Sequence, residues 1–223
     1  MKQLIKKRVS SLMPGLYSGF RLRQLKGSLP AEILEEIATL DSSSLAVDVG
    51  ANIGLVSELI ARTGATVHSF EPNRQAFQQL RKTAARFPNM TINNVAAGVK
   101  DQEVVLYLHK NSGTTDDDLT QASSLKADKP NVSTEYSQKV NEIDFALYLN
   151  GLDRTVDILK IDIEGYEIEL VNHLLDCGAF EKVRKVYVET HERKYKALKE
   201  STDNMKRRVT DAGLGDKFFF DWH

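Results

Sequence analysis

At 223 residues with a net charge of -1, the chain is long enough for one well-buried domain and short for two. With 41% hydrophobic and 27% charged residues, its composition excludes a disordered or fibrous protein, and no apolar run approaches the roughly 20 residues of a membrane-spanning helix. The charge is unevenly placed: Lys2, Lys6, Lys7, Arg8, Arg21, Arg23 and Lys26 all precede the first acidic residue, Glu32. We read residues 1–29 as a basic N-terminal extension and residues 30–223 as one folded domain. Such an arm suits contact with an anionic surface, whether lipid headgroups, a polyanionic glycan or a partner protein; a solvated terminus is the plainer account. No zinc-finger spacing or other recognition module points to nucleic acid. No apolar stretch suited to a secretory leader follows the first lysines before Pro14 and Gly15. The single cysteine, Cys177, has no partner for an internal disulfide and reads as a small buried hydrophobe. A cytoplasmic protein is expected, with a peripheral membrane contact as the variant.

In chain order, Pro30 sits where a first helical turn tolerates it, and Ile33, Leu34, Ile37 and Leu40 give the apolar face of a short helix. Residues 45–50 read as a buried strand stopped by glycine. Ile53, Val56, Leu59 and Ile60 then fall on one helical face. The unit repeats, with a strand over 66–70, a turn at Glu71-Pro72-Asn73, and a helix carrying Phe77, Leu80, Ala84 and Phe87. Residues 90–98 are predicted as the third strand and 103–109 as an additional one. The polar stretch 110–134 is aperiodic, and a loop of that length is usually functional or disordered. Residues 140–149 predict a strand and a helical turn, and 156–163 a strand. The next helix carries Ile168, Val171, Leu174 and Leu175. A strand over 183–189, a helix with Leu198, Thr202, Met205 and Val209, and Phe218-Phe219-Phe220 complete the alternation. Strands and helices in this order give an α/β fold, with a mostly parallel sheet and helices packed on both faces through right-handed crossovers.

The string Asp48-Val49-Gly50-Ala51-Asn52-Ile53-Gly54 falls where a strand turns into a helix. Glycines there let the backbone approach a ligand, and a carboxylate at the strand end can hold an amine. S-adenosylmethionine offers an α-amino group for Asp48 and a carboxylate for the amides around Gly50, Ala51 and Asn52, with Gly54 leading into the helix. Glu71, at the end of the next strand, can accept both hydroxyls of a ribose. A nicotinamide dinucleotide site competes for this turn. Its G-x-G-x-x-G fingerprint, aligned on Gly50, meets Asn52 and Leu55 at the second and third glycines, which disfavours an NAD-dependent oxidoreductase. An ordinary tight turn explains the glycines alone, but not Asp48 and Glu71 together with them.

The chain resembles the FkbM-type methyltransferases through the run from Val47 to Gly54, then Phe70-Glu71-Pro72, Ser123-Ser124-Leu125 and Ile143-Asp144. The likeness continues through Leu159-Lys160-Ile161-Asp162-Ile163-Glu164-Gly165-Tyr166-Glu167 and Val188-Glu189-Thr190-His191. It implies a Rossmann-like class I methyltransferase fold with a seven-strand-like core and S-adenosylmethionine as donor. It also implies O-methylation of a hydroxyl on a sugar, glycoconjugate or related natural product. The basic arm lies outside the shared core, and Thr83 stands where asparagine is expected.

Methyl transfer to oxygen needs donor and acceptor held in line, and then a base for the hydroxyl proton. Asp162 and Glu164 end a strand, and at period two both leave on one side, toward the carboxyl edge of the sheet. Asp162 is the first choice beside the transferring methyl, as cofactor ligand and catalytic residue. Glu164 is a second catalytic candidate, with helix capping as its structural alternative. His191, two residues beyond Glu189, is the candidate base, although a lone histidine at a strand end is often structural. These three side chains can also ligate metal, but their spacing matches no metal motif and no metal is expected. Ser123 and Ser124 are placed to touch acceptor or cofactor, or simply to lie on a surface loop. A nucleoside-binding protein of the same fold without turnover is the alternative from another class.

Overall fold

A computed structural model describes residues 29–109, 123–125 and 132–220, together with 23, 25 and 27. Most of the basic arm and of the 110–134 stretch lies outside these residues. Among the described residues the elements run α1 (Ala31–Ala38), β1 (Leu45–Val49), α2 (Leu55–Ala61), β2 (Thr66–Phe70), α3 (Arg74–Ala84) and β3 (Met90–Asn93). They continue with β4 (Ala96–Gly98), β5 (Gln102–His109), β6 (Val132–Asp144), α4 (Phe145–Asn150), β7 (Val156–Ile161) and α5 (Glu167–Asp176). The last are β8 (Val183–Val188), α6 (Lys199–Asp211) and β9 (Phe218–Phe219).

The main sheet has the order β3-β2-β1-β7-β8-β9, and every pairing in it is parallel. This is a Rossmann-like doubly wound sheet, whose order reverses between β1 and β7. Strand alternation sorts its two faces. Leu45, Val47 and Val49 join Phe145, Leu149, Ile168, Leu174, Met205 and Val209 in one core. Ala46 joins Ile33, Ile37, Val56, Leu59, Ile60, Val67 and Ile158 in the other. Helices α4, α5 and α6 therefore cover one face, and α1 and α2 the other, which is why β1 is buried along its whole length.

Several boundaries differ from the sequence reading. The third strand is two: β3 extends the main sheet, whereas β4 pairs with β6, which also carries antiparallel β5, in a separate three-stranded sheet. Hydrophobic pattern marks a strand but does not choose its partner. The seven-strand-like core is thus six parallel strands plus a side sheet among the described residues. Strand β7 stops at Ile161, so Asp162 and Glu164 lie beyond it. Cys177 is exposed at the end of α5 rather than buried. Leu29 packs with Ile33 and Ile37 at 6% exposure, which carries the core across the expected boundary at residue 30. No described helix is long and apolar enough to cross a membrane.

Candidate functional site

The reversal of strand order opens a crevice at the carboxyl edge of β1 and β7, and a cavity of about 380 Å³ lies there. Its wall includes Gly50, Ala51, Asn52, Glu71, Lys160, Asp162, Glu164, Glu189 and Lys194, with Phe70, Leu106, Leu125 and Ile163 as apolar surface. Gly50 has φ +77°, and a Cβ there would stand 1.8 Å from the Asp162 carbonyl oxygen. The turn after β1 can therefore press against the end of β7 only as glycine. Gly54, at φ +86°, packs on Leu80 instead and does not line the cavity. The amides of Gly50 and Ala51 donate to the Phe70 carbonyl at 3.0 Å, and that of Asn52 donates to Glu71 Oε2 at 2.8 Å. The amides expected to face a ligand's carboxylate are thus engaged within the turn.

Glu71 is 7% exposed, with Oε1 accepting from the Asn73 amide at 2.8 Å. Burial pushes its carboxyl up to about 7, against the pull of the Asn73 and Asn52 amides and of Lys160. Asn73 caps α3 by accepting from Gln75 and Ala76 and donates to Ser123 Oγ at 2.9 Å. Ser124 is 1% exposed, exchanges backbone hydrogen bonds with Tyr107 and donates to the Glu164 carbonyl at 2.9 Å. Both serines line the cavity.

Asp48 is placed differently from the sequence expectation. It is fully buried and absent from the cavity wall. Ser57 Oγ donates to its Oδ2 at 2.5 Å, and Lys160 Nζ lies 3.2 Å from Oδ1. Asp48 and Lys160 are register partners on adjacent parallel strands, so both side chains leave toward α2. Lys160 Nζ also donates to the Gly50 carbonyl at 2.8 Å and lies 3.4 Å from Asp162 Oδ2. Burial opposes its charge, yet Asp48 and Asp162 hold it above the ordinary lysine value. Sequence reasoning missed Lys160, although a lysine inside the run Ile158-Leu159-Lys160-Ile161 was the signal: a buried charge needs a partner.

Asp162, Glu164 and His191 do come together, with one ligating atom of each within 4.8 Å of the others. The route is not the period-two alternation of a strand. Glu164 takes the left-handed conformation at φ 57° and Gly165 follows at φ 104°, so a turn brings the carboxylate back. Asn52 is also left-handed, at φ 49°, and strained non-glycine residues of this kind gather at functional sites. His191 is 1% exposed and sits behind the wall rather than in it. Its Nδ1 is 2.8 Å from Oε1 of fully buried Glu167, and its Nε2 is 3.4 Å from Glu164, 3.7 Å from Glu189 and 3.9 Å from Asp162. Burial opposes a charged ring, but Glu167, Glu164 and Asp162 together hold the histidine above its usual pKa. Glu167 also escaped sequence reasoning, since nothing in its helix pattern marks it as a histidine partner. Leu25 lines the cavity too, so the segment assigned to the arm contributes to the wall.

The family model described as the methyltransferase FkbM domain matches residues 48–214. A hexuronic acid methyltransferase, AglP, from Haloferax volcanii is 29% identical over 77% of this chain, which spans 66% of that protein's length. The methyltransferase sdnD of Sordaria araneosa is 29% identical over 70% of each chain. Among solved structures, precorrin-6y C5,15-methyltransferase from Geobacter metallireducens aligns over 82% of this chain and 69% of its own, at 13% identity and a TM-score of 0.43.

Proposed function

Because the chain belongs to the methyltransferase FkbM domain family, we propose that it transfers the methyl group of S-adenosylmethionine to a hydroxyl of a sugar, glycoconjugate or related natural product. The observation that carries this reading is the cavity at the strand-order reversal. The Gly50 turn, Glu71, and the carboxylates of Asp162 and Glu164 all face it. Two features support the donor: the Gly50 turn lies in the cavity wall, and each Glu71 oxygen keeps a second lone pair for a ribose hydroxyl. Lys160 and Lys194 stand among Asp162, Glu164 and Glu189, a mixed-charge lining suited to a zwitterionic amino-acid end. The bound donor supplies an electrophilic methyl on a sulfonium.

The chain's own residues then do two things. They hold donor and acceptor in line, the larger effect, and they take the hydroxyl proton. We assign the proton to Glu164, which lines the cavity and whose backbone is held by Ser124. His191, the base expected from sequence, supports it from behind. Asp48 acts through Lys160, and Lys160 orients Asp162. The sugar acceptor is supported by the printed activity of the Haloferax relative.

Calorimetric titration with S-adenosylmethionine and with NAD tests the donor. Mass spectrometry of uronic acids and glycans incubated with isotope-labelled donor tests the transfer. Binding of NAD in place of S-adenosylmethionine would overturn the reading, and donor binding with no labelled product from any hydroxyl acceptor would favour a non-turnover nucleoside binder.

A further inference from the structure

Neither Glu167 nor His191 lines the cavity, and the geometry of the pair is that of a histidine prepared as a ligand. Both side chains are 0% exposed. Glu167 accepts on both oxygens, from the Gly165 amide at 2.7 Å and from His191 Nδ1 at 2.8 Å. With Nδ1 as the donor, the ring is fixed in orientation and Nε2 is turned toward three carboxylates. Among the described residues Nε2 has no hydrogen-bond partner, although Glu164 Oε2 is only 3.4 Å away. A neutral imidazole here would aim a lone pair at carboxylate oxygens, so Nε2 takes either a proton or a bound cation.

The distances suit one ion. Two ligand atoms each about 2.1 Å from a shared cation lie at most about 4.2 Å apart. The separations of Nε2 from Glu164 at 3.4 Å and from Asp162 at 3.9 Å meet that limit. The widest separation in the trio is within 4.8 Å, and closing it takes a few tenths of an ångström from the partly exposed Asp162 and Glu164. Glu189 Oε1, 3.7 Å from Nε2, is held by Lys194 at 3.0 Å and stands outside the trio. One imidazole among carboxylates selects Mn²⁺, Fe²⁺ or Zn²⁺ over the oxygen-only preferences of Mg²⁺ and Ca²⁺. A carboxylate on the far ring nitrogen is the usual outer support of a metal-bound histidine.

We propose that Asp162, Glu164 and His191 bind one divalent transition-metal cation at the cavity wall, with Glu167 orienting the histidine. This departs from the expectation, drawn from spacing alone, that no metal binds. It does not rest on the methyl-transfer reading. The test uses the full chain stripped with a chelator and titrated with MnCl₂ without S-adenosylmethionine, followed by calorimetry and by electron paramagnetic resonance of free Mn²⁺. The expected result is one ion per chain. Binding should be lost in Glu164→Gln and His191→Ala and weakened about 10–100-fold in Glu167→Gln. It should be unchanged in Glu103→Gln, a surface carboxylate paired with Lys139. Glu164→Gln, which keeps the side-chain volume, remains informative if His191→Ala does not fold. No saturable uptake of Mn²⁺ or Zn²⁺ by folded wild-type protein, or wild-type affinity in Glu164→Gln, would overturn the proposal.

Discussion

Replacing Lys160 with Met keeps most of the stem's volume and removes the ammonium. Asp48, at 0% exposure, is then left with the Ser57 hydroxyl at 2.5 Å. Breaking a buried pair by removing one partner costs about 3–5 kcal/mol, because the remaining charge stays buried and uncompensated. At about 2–4 °C per kcal/mol for a chain of this size, the melting temperature should fall by roughly 6–20 °C. Asp48→Asn should be milder, since Lys160 keeps Asp162 at 3.4 Å and the Gly50 carbonyl at 2.8 Å. The double variant should recover most of the loss, as removal of both members of a buried pair is often close to neutral. Thermal and denaturant unfolding followed by circular dichroism give the four corners of the double-mutant cycle. A Lys160→Met protein that melts within about 2 °C of wild type, or a double variant no more stable than Lys160→Met, would refute the reasoning.

Glu71→Gln should weaken S-adenosylmethionine by about 1–3 kcal/mol, or roughly 5–150-fold, in calorimetry; an unchanged Kd in a folded variant removes Glu71 from the ribose site. Its raised carboxyl, near 7, gives a signed pH dependence. The stability it contributes to the free protein is complete below the ordinary carboxylate range and is lost as pH rises through about 7. Affinity for a ribose, which needs the ionised form, should tighten over that same interval, and the limb should vanish in Glu71→Gln. Gly50→Ala combines left-handed strain with a Cβ set 1.8 Å from the Asp162 carbonyl and should cost about 2–5 kcal/mol; wild-type stability in urea would show that the turn can relax. Deleting residues through Lys26 takes Leu25 out of the cavity wall, and donor affinity should drop by about 1–2 kcal/mol, whereas an unchanged Kd would leave the arm a docking role only.

The parallel core was legible because β1, β2, β7 and β8 are short apolar runs each ended by a turn residue, and Gly50, Glu71 and Asp162 follow from where such strands end. What escaped were relations between distant residues. Nothing local says that Asp48 faces α2 rather than the crevice; that depends on strand parity together with the register that sets it beside Lys160. Strand periodicity sends Asp162 and Glu164 to one side together, whereas the approach of Glu164 to His191 comes from the left-handed turn at Glu164. The break at residues 94 and 95 changes sheets, and periodicity carries no partner information. Cys177 looked apolar in context but falls one residue past the end of α5, where the buried stripe has already ended.

The central strand acquires its second neighbour late. The Leu45 amide donates to Asp157, 112 residues further along, at the join of β1 and β7. At translation speeds of about 5–20 residues per second, β1 emerges from a ribosome roughly 5–20 s before β7. Throughout that interval its hydrophobic edge offers unpaired amides and carbonyls to any other nascent chain. Non-local parallel pairing is also slow to form in a released chain. Yield in cells should therefore be limited by events during synthesis, and added chaperone should raise soluble protein without any change in the melting temperature of what has folded.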